Sequence, residues 1–472
     1  MTNTKKHETK STGKSIYTDL SFLGTLIFFL FRIPITNIIG NEGNGYFAFS
    51  WELYTFLGLF FGHCLSSTVS EMVQKRVRKN QYHNSSSVFT TSMILGIIAS
   101  VLGCIVFYFC SEIILSSFSM KLSGISFKLL GILLIFNSLT GIFCGYFEGI
   151  GTNVPTTFSK IIKGFISGTG ALIFTSVLTK YGSKVGTLLY NPQYKPAFGA
   201  TGIIAGCIIG TIFSLLFLIV IHIIYQIPLK QLLKKEDSTE QESSSKIFKE
   251  IFKLFIITFL EIVFFNLFRI VNMWLYIKNT LLTDGKDKIV QYLGSYHGKV
   301  LVLTTCTILL ILIFTGRNVQ KINKSYRRNN FTNCWNFFYK DAKQLLLITV
   351  PTAIAVAIFG KNIFTLLYKS AGNIEITMLQ IGSINIILVS FAIYMYRLLR
   401  KLDMKLYLIM IPMIAFVIQT LVMSFIIKLP TMGALSLIVA ELIFWLLVAG
   451  MELLLCIKTL KPNINDKNYS IK

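Results

Sequence analysis

The chain has 472 residues, 53% of them hydrophobic and 14% charged. That balance excludes an ordinary soluble domain and points to a polytopic membrane protein. The net charge of +24 is spread over many loops instead of one face, which argues against a nucleic-acid partner.

Residues 1–15 are polar and lysine-rich, with no small-residue cleavage site before Leu20, so the first apolar run is expected to be retained. A membrane-crossing helix needs about 20 mostly apolar residues. Twelve stretches qualify: 17–39, 46–69, 88–110, 127–147, 154–179, 199–225, 251–277, 297–315, 344–359, 377–396, 405–427 and 433–456. After the sixth, Lys234-Lys235-Glu236-Asp237-Ser238-Thr239-Glu240 runs into a serine cluster, a composition that cannot bury a core and reads as a flexible linker. The predicted fold is an all-α polytopic membrane protein with about 12 transmembrane helices in two six-helix lobes. The parts are a tail at 1–16, an N-lobe at 17–229, the linker at 230–250, a C-lobe at 251–457 and a tail at 458–472.

With both termini in the cytoplasm, 31 of the 45 Lys and Arg fall on the inner side, the bias expected for an even number of spans in a cell membrane. Anionic membrane lipids suffice as partners for those charges. Residues 317–343 mix basic side chains with Phe331, Trp335, Phe337, Phe338 and Tyr339. A helix in the inner headgroup region and a solvated loop fit that mixture equally well. The outer loops leave no room for a catalytic domain of ordinary size. No Walker motif, HExxH or Gly-x-Ser-x-Gly occurs, so no enzyme, catalytic residue or cofactor is expected. The eight cysteines show no CxxC or paired spacing, which supports neither a metal site nor a disulfide framework.

Polar side chains inside the apolar runs are the candidates for function, because each is costly there. Leu30-Phe31-Arg32-Ile33 recurs as Leu267-Phe268-Arg269-Ile270, one arginine in the first span of each half. Such a pair suggests a duplicated transporter holding an anion between its halves; snorkelling is the alternative for Arg32. Pro34 predicts a kink near Arg32, and Gly40–Gly45 reads as a glycine-rich outer turn. In the second span Glu52, Leu59, His63, Ser66 and Ser70 share a stripe, with Glu52 and His63 as ion-coupling candidates. A histidine that is simply hydrogen-bonded is the alternative. In the seventh span Glu261, Phe265, Arg269, Asn272 and Tyr276 fall within about 80° on a straight helical wheel. That stripe lines a cavity or serves as polar glue between helices. Glu441 and Glu452 in the last span are weaker candidates.

The stretch Arg32-Ile33-Pro34-Ile35-Thr36-Asn37-Ile38-Ile39-Gly40-Asn41-Glu42-Gly43-Asn44-Gly45-Tyr46 resembles the first hairpin of the stage V sporulation protein B-like polysaccharide transporters. These belong to the multidrug/oligosaccharidyl-lipid/polysaccharide (MOP) exporter superfamily. Ser66–Glu71, Gly145–Gly149 with Asn153–Thr157, and Phe364–Tyr368 are similar as well. The resemblance implies two six-helix lobes around a central cavity open alternately to either side. In the related lipid II flippases that cavity carries basic residues on the first helix of each lobe, which Arg32 and Arg269 match. The chain departs from those flippases in lacking an extra pair of C-terminal helices, which points away from peptidoglycan precursor.

These features favour a flippase for a lipid-linked oligosaccharide or polysaccharide precursor, a prenyl-pyrophosphate sugar. Its substrate-binding candidates are Arg32, Arg269, Asn272, Tyr276 and Glu261, and envelope glycan assembly enzymes are candidate partners. A cation-coupled multidrug exporter of the same superfamily is the alternative, kept open by Glu52 and Glu261. A non-transporting envelope or spore assembly scaffold is the third reading.

Overall fold

A computed structural model describes residues 3–118, 120–233, 241–280, 286–429 and 432–461. The middle of the expected linker, 234–240, and the end of the C-terminal tail, 462–472, lie outside the described residues. Among the described residues every regular element is helical.

The helix Tyr82–Phe109 shows why this is a membrane fold. One face, Asn84, Ser85, Val88, Ser92, Gly96 and Ser100, is buried at helical spacing. The opposite face, Ile94, Ile97, Ile98, Val101, Leu102 and Ile105, is exposed. Small and polar residues inside with large aliphatic residues outside invert the soluble pattern and suit a bilayer as solvent.

Among the described residues ten helices are long and apolar enough to cross a membrane, and the bent pair Ser244–Ile262 and Phe264–Thr280 adds an eleventh crossing. The longest, continuous over Phe22–Val77, has 56 residues. At 1.5 Å per residue it would extend about 84 Å, far beyond the ~30 Å hydrocarbon core. It folds back on itself. Phe28 stacks on Trp51 at 6.2 Å, the Arg32 guanidinium lies 4.3 Å from the Phe47 ring, and Asn44 donates 3.2 Å to the Thr36 hydroxyl. In each pair the residue numbers are nearly symmetric about Gly40, as in an antiparallel hairpin. Gly40 itself has φ 68° and ψ −172°, a region that residues with a Cβ scarcely enter. Resolved into two spans, this hairpin completes the twelve crossings.

Three expectations change. The non-helical backbone falls at Gly40, six residues beyond Pro34, which stays inside the helix. The outer turn is a single residue, since Asn41 to Gly45 are already helical. Gly45 and Gly294 serve close packing: a Cβ on either would strike the backbone carbonyl of Val290 or Asn41. Third, the basic-aromatic segment is no loop. Val319–Tyr326 is a short helix, and Phe331–Tyr368 runs unbroken into the ninth span, burying Cys334, Phe338, Asp341 and Leu345.

The chain packs into two compact units, Met1–Ile270 with Leu281–Gly298, and Val271–Thr280 with Lys299–Lys472. In the first, helices Val154–Leu188 and Tyr194–Leu233 meet along a small-residue ladder. A Cβ on Gly202, Gly206 or Gly210 would collide with Thr175, Ala171 or Ser167 respectively. Glycines every four residues on one helix face matching small residues every four on the other let antiparallel backbones approach closely. In the second unit, Asn373–Lys401 packs on Leu435–Leu460, and Gly382 leaves room for Ile438.

Candidate functional site

The first unit encloses a cavity of about 480 Å³, within the size range of small-molecule sites. Its walls come from the first hairpin, the helices Gly124–Ile150, Val154–Leu188 and Tyr194–Leu233, and Asn266. Glycines bring these walls together: a Cβ on Gly24 would lie 2.1 Å from the Lys160 carbonyl oxygen, and one on Gly164 1.9 Å from that of Gly24.

The basic groups lie on Val154–Leu188, a helix with Pro155 in its first turn, where the missing amide hydrogen costs nothing. Lys160 and Lys163, three residues apart, share a face and line the cavity. The Lys163 ammonium donates 2.9 Å to Asn137 Oδ1. His63 joins them from a π-helical turn, Leu59–Cys64, and is exposed to the cavity. A single π turn inside a long helix re-aims side chains and often marks a functional position. Glycine makes room for it, because a Cβ on Gly141 would approach the Gly62 carbonyl oxygen to 2.5 Å. Phe28, Phe29, Trp51 and Tyr54 form an aromatic part of the wall, with Trp51 and Tyr54 rings 5.3 Å apart. Among the described residues the lining has two lysines and a histidine but no carboxylate.

Of the residues singled out from sequence, His63 lines this cavity together with Leu59 and Ser66 of the same stripe. Arg32 is buried in the hairpin, where Nη2 donates 2.9 Å to Asn44 Oδ1. Glu52 is also buried, and its carboxylate lies 3.4 Å from His297 Nδ1. Arg32 and Arg269 both act electrostatically on the His297 ring. Both repeated arginines thus lie within electrostatic reach of one histidine of the first unit, a residue that sequence reasoning passed over.

The seventh-span stripe does not survive as drawn. The helix bends by 53° between Ile262 and Phe264, so the straight wheel that aligned Glu261 with Arg269, Asn272 and Tyr276 does not apply. Glu261 is buried at the end of the first segment. Asn272 and Tyr276 belong to the second unit and are buried there. Gln419 donates 2.6 Å to Asn272 Oδ1, and the Tyr276 carbonyl accepts 2.6 Å from Thr280. Among the described residues no group of three His, Cys, Asp or Glu side chains is placed to hold a metal ion.

No family model and no curated protein matches the chain. Solved structures do. An inward-facing multidrug resistance MATE family transporter of the MOP superfamily aligns with TM-score 0.64 at 12% identity over 97% of this chain and 96% of that one. A MATE in complex with MaL6 aligns with TM-score 0.66 at 14% identity over 95% and 96%. A MOP superfamily transporter from Pyrococcus furiosus, described as having a binding pocket of reverse polarity, aligns with TM-score 0.61 at 13% identity over 96% and 97%. The chain shares the fold of these transporters along nearly its whole length.

Proposed function

We propose that the chain is a multi-pass membrane transporter whose first-unit cavity receives the anionic headgroup of an amphiphile. One observation carries this reading: Lys160, Lys163 and His63 line the cavity, with no carboxylate among the described lining residues. Two lysine ammonium groups attract phosphate oxygens through charge-assisted hydrogen bonds. A permanently charged organic cation would face like charge, with no carboxylate among the described lining residues to offset it. The volume suits a headgroup, while a prenyl or acyl chain stays in lipid. A lipid-linked oligosaccharide or polysaccharide precursor has this chemistry, with both termini of the carrier protein in the cytoplasm and envelope glycan assembly enzymes as its natural partners. The anion contacts move from Arg32 and Arg269 to the two lysines in this reading.

The second reading is a cation-coupled multidrug exporter. The fold shared with MATE structures favours it, and the aromatic wall of Phe28, Phe29, Trp51 and Tyr54 suits flat hydrophobic molecules.

One assay separates them. Purified protein in proteoliposomes is given a fluorescent prenyl-pyrophosphate sugar or a cationic dye, with wild type compared with Lys160→Ala/Lys163→Ala. Sugar-lipid translocation that the double variant loses supports the first reading. Dye export that survives in the double variant, without sugar-lipid movement, supports the second. Neither activity from well-folded protein would leave the non-transporting scaffold.

A further inference from the structure

The cavity accounts for substrate but not for what drives it. A second polar cluster of the first unit lies on different residues. His297 starts the eighth span inside a second π-helical turn, Tyr296–Val300. Its Nδ1 is 3.4 Å from the Glu52 carboxylate, and both side chains are less than a tenth exposed. Gly298 fits the turn tightly against the hairpin. Its carbonyl accepts a 3.2 Å bond from the Thr36 hydroxyl, and a Cβ there would meet Asn44 Cγ at 2.4 Å. Asn44 is also the acceptor for Arg32. The turn, the pair and the first arginine are thus one packed assembly.

We propose that Glu52 and His297 form a proton-binding site that couples proton movement to transport. Arg32 from the first helix and Arg269 from the seventh span are the cations that act on His297. Arginine keeps its charge in proteins, so a proton entering this cluster is held by Glu52 or His297. On the same turn Lys299 is committed elsewhere, donating 2.9 and 2.8 Å to the two oxygens of Glu375. On the neighbouring helix Lys286–Ser295, Gln291 bonds Glu42 at the exposed rim. Adding or removing one proton changes the charge at a buried contact between the second span and the eighth. The chain leaves the first unit directly after Gly298, one residue beyond His297. The coupling role rests on the transport reading; the proton site does not.

The test begins without substrate. The full chain in lipid nanodiscs is labelled with 15N-histidine, and its ring spectrum is followed against pH beside that of His297→Asn. The expected result is a His297 signal that titrates, and a midpoint displaced by about one pH unit or more in Glu52→Gln, a tenfold change in proton affinity. Glu52→Asp, which keeps the carboxylate, should retain a titrating His297 and controls for folding. A His297 ring constant between about pH 4 and 10, or a titration unaffected by Glu52→Gln, overturns the proposal. In proteoliposomes, transport driven by an imposed pH gradient should fall at least tenfold in His297→Asn, while binding of a phosphate-bearing amphiphile is unchanged. Gradient-driven transport at the wild-type rate in that variant overturns the coupling. Failure of the wild type to move any amphiphile bears on the transport reading alone.

Discussion

Lys163 donates a 2.9 Å hydrogen bond to Asn137 across the wall of the first-unit cavity. The amide holds the ammonium at the cavity surface without neutralising it. Lys160 shares that face and is exposed. Replacing Lys163 by Met should remove a charge-assisted contact worth about 1.5–3 kcal/mol, so affinity for a phosphate-bearing amphiphile should fall by roughly 10- to 100-fold. Asn137→Leu, which keeps the charge but loosens its position, should cost less. Titration calorimetry on detergent-solubilised protein checks both. Equal affinity in wild type and Lys163→Met would remove the lysines from the site.

The helical class and the twelve spans were legible because bilayer thickness imposes a length that hydropathy reports directly. The cavity was not. Lys160 and Lys163 read as inner-loop charges, since a sequence does not distinguish a lysine facing lipid headgroups from one facing a cavity. The 53° bend at Val263 carries no proline or glycine, so no breaker signal announced it, and the straight wheel misjudged the faces beyond it. Gly40 was visible as part of a turn, but six adjoining Gly, Asn and Glu residues concealed which one reverses the chain. His297 went unnoticed because its partner is Glu52, 245 positions earlier, a relation that only the fold creates. The repeated arginines lie within electrostatic reach of His297 and are not among the residues that line the cavity.

Gly40 offers a direct test of the hairpin. With φ 68° and ψ −172° it occupies a region nearly closed to other residues. Gly40→Ala should destabilise by about 1–3 kcal/mol through backbone strain, although nothing lies within 4 Å of the added methyl. Gly450 is the control, lying inside a helix with open space around it. Gly450→Ala should stabilise by about 0.5–1 kcal/mol. Thermal unfolding in detergent should therefore move in opposite directions for two substitutions that both meet no neighbour. A fall for both would contradict the strain at Gly40.

Arg76 closes the first unit at the end of the second span. Its guanidinium bonds Glu242, reaches Glu250 at 2.8 Å and donates 3.2 Å to the Met72 carbonyl. The arginine side chain is 5% exposed, while the glutamates are 19% and 34% exposed. Either glutamate can support the arginine when the other is lost. Glu242→Gln and Glu250→Gln should each cost about 1 kcal/mol or less, as partly exposed pairs do. The double substitution should cost more than their sum, because it strands a buried cation. The measurement is the unfolding temperature of all three variants, and strict additivity would show that the arginine does not depend on the pair.

Lys299 and Glu375 make the same point in the second unit under deeper burial. The ammonium reaches both carboxylate oxygens, and the lysine and glutamate side chains are 5% and 8% exposed. Glu375 also accepts from the Gly372 amide at the start of helix Asn373–Lys401, so it caps that helix as well as pairing with the lysine. Lys299→Met leaves a buried carboxylate without its ammonium and should cost about 3–5 kcal/mol. Lys299→Met/Glu375→Gln removes the stranded charge, keeps a side-chain oxygen for the Gly372 amide, and should recover most of that loss. The cap separates the pair from a simple ionic contact: Lys299→Met/Glu375→Leu, which also discards the acceptor, should remain about 1 kcal/mol less stable than the glutamine double variant. Chemical unfolding in mixed micelles orders the three. If the single substitution proved no worse than the glutamine double variant, stranded charge would not be what the pair prevents.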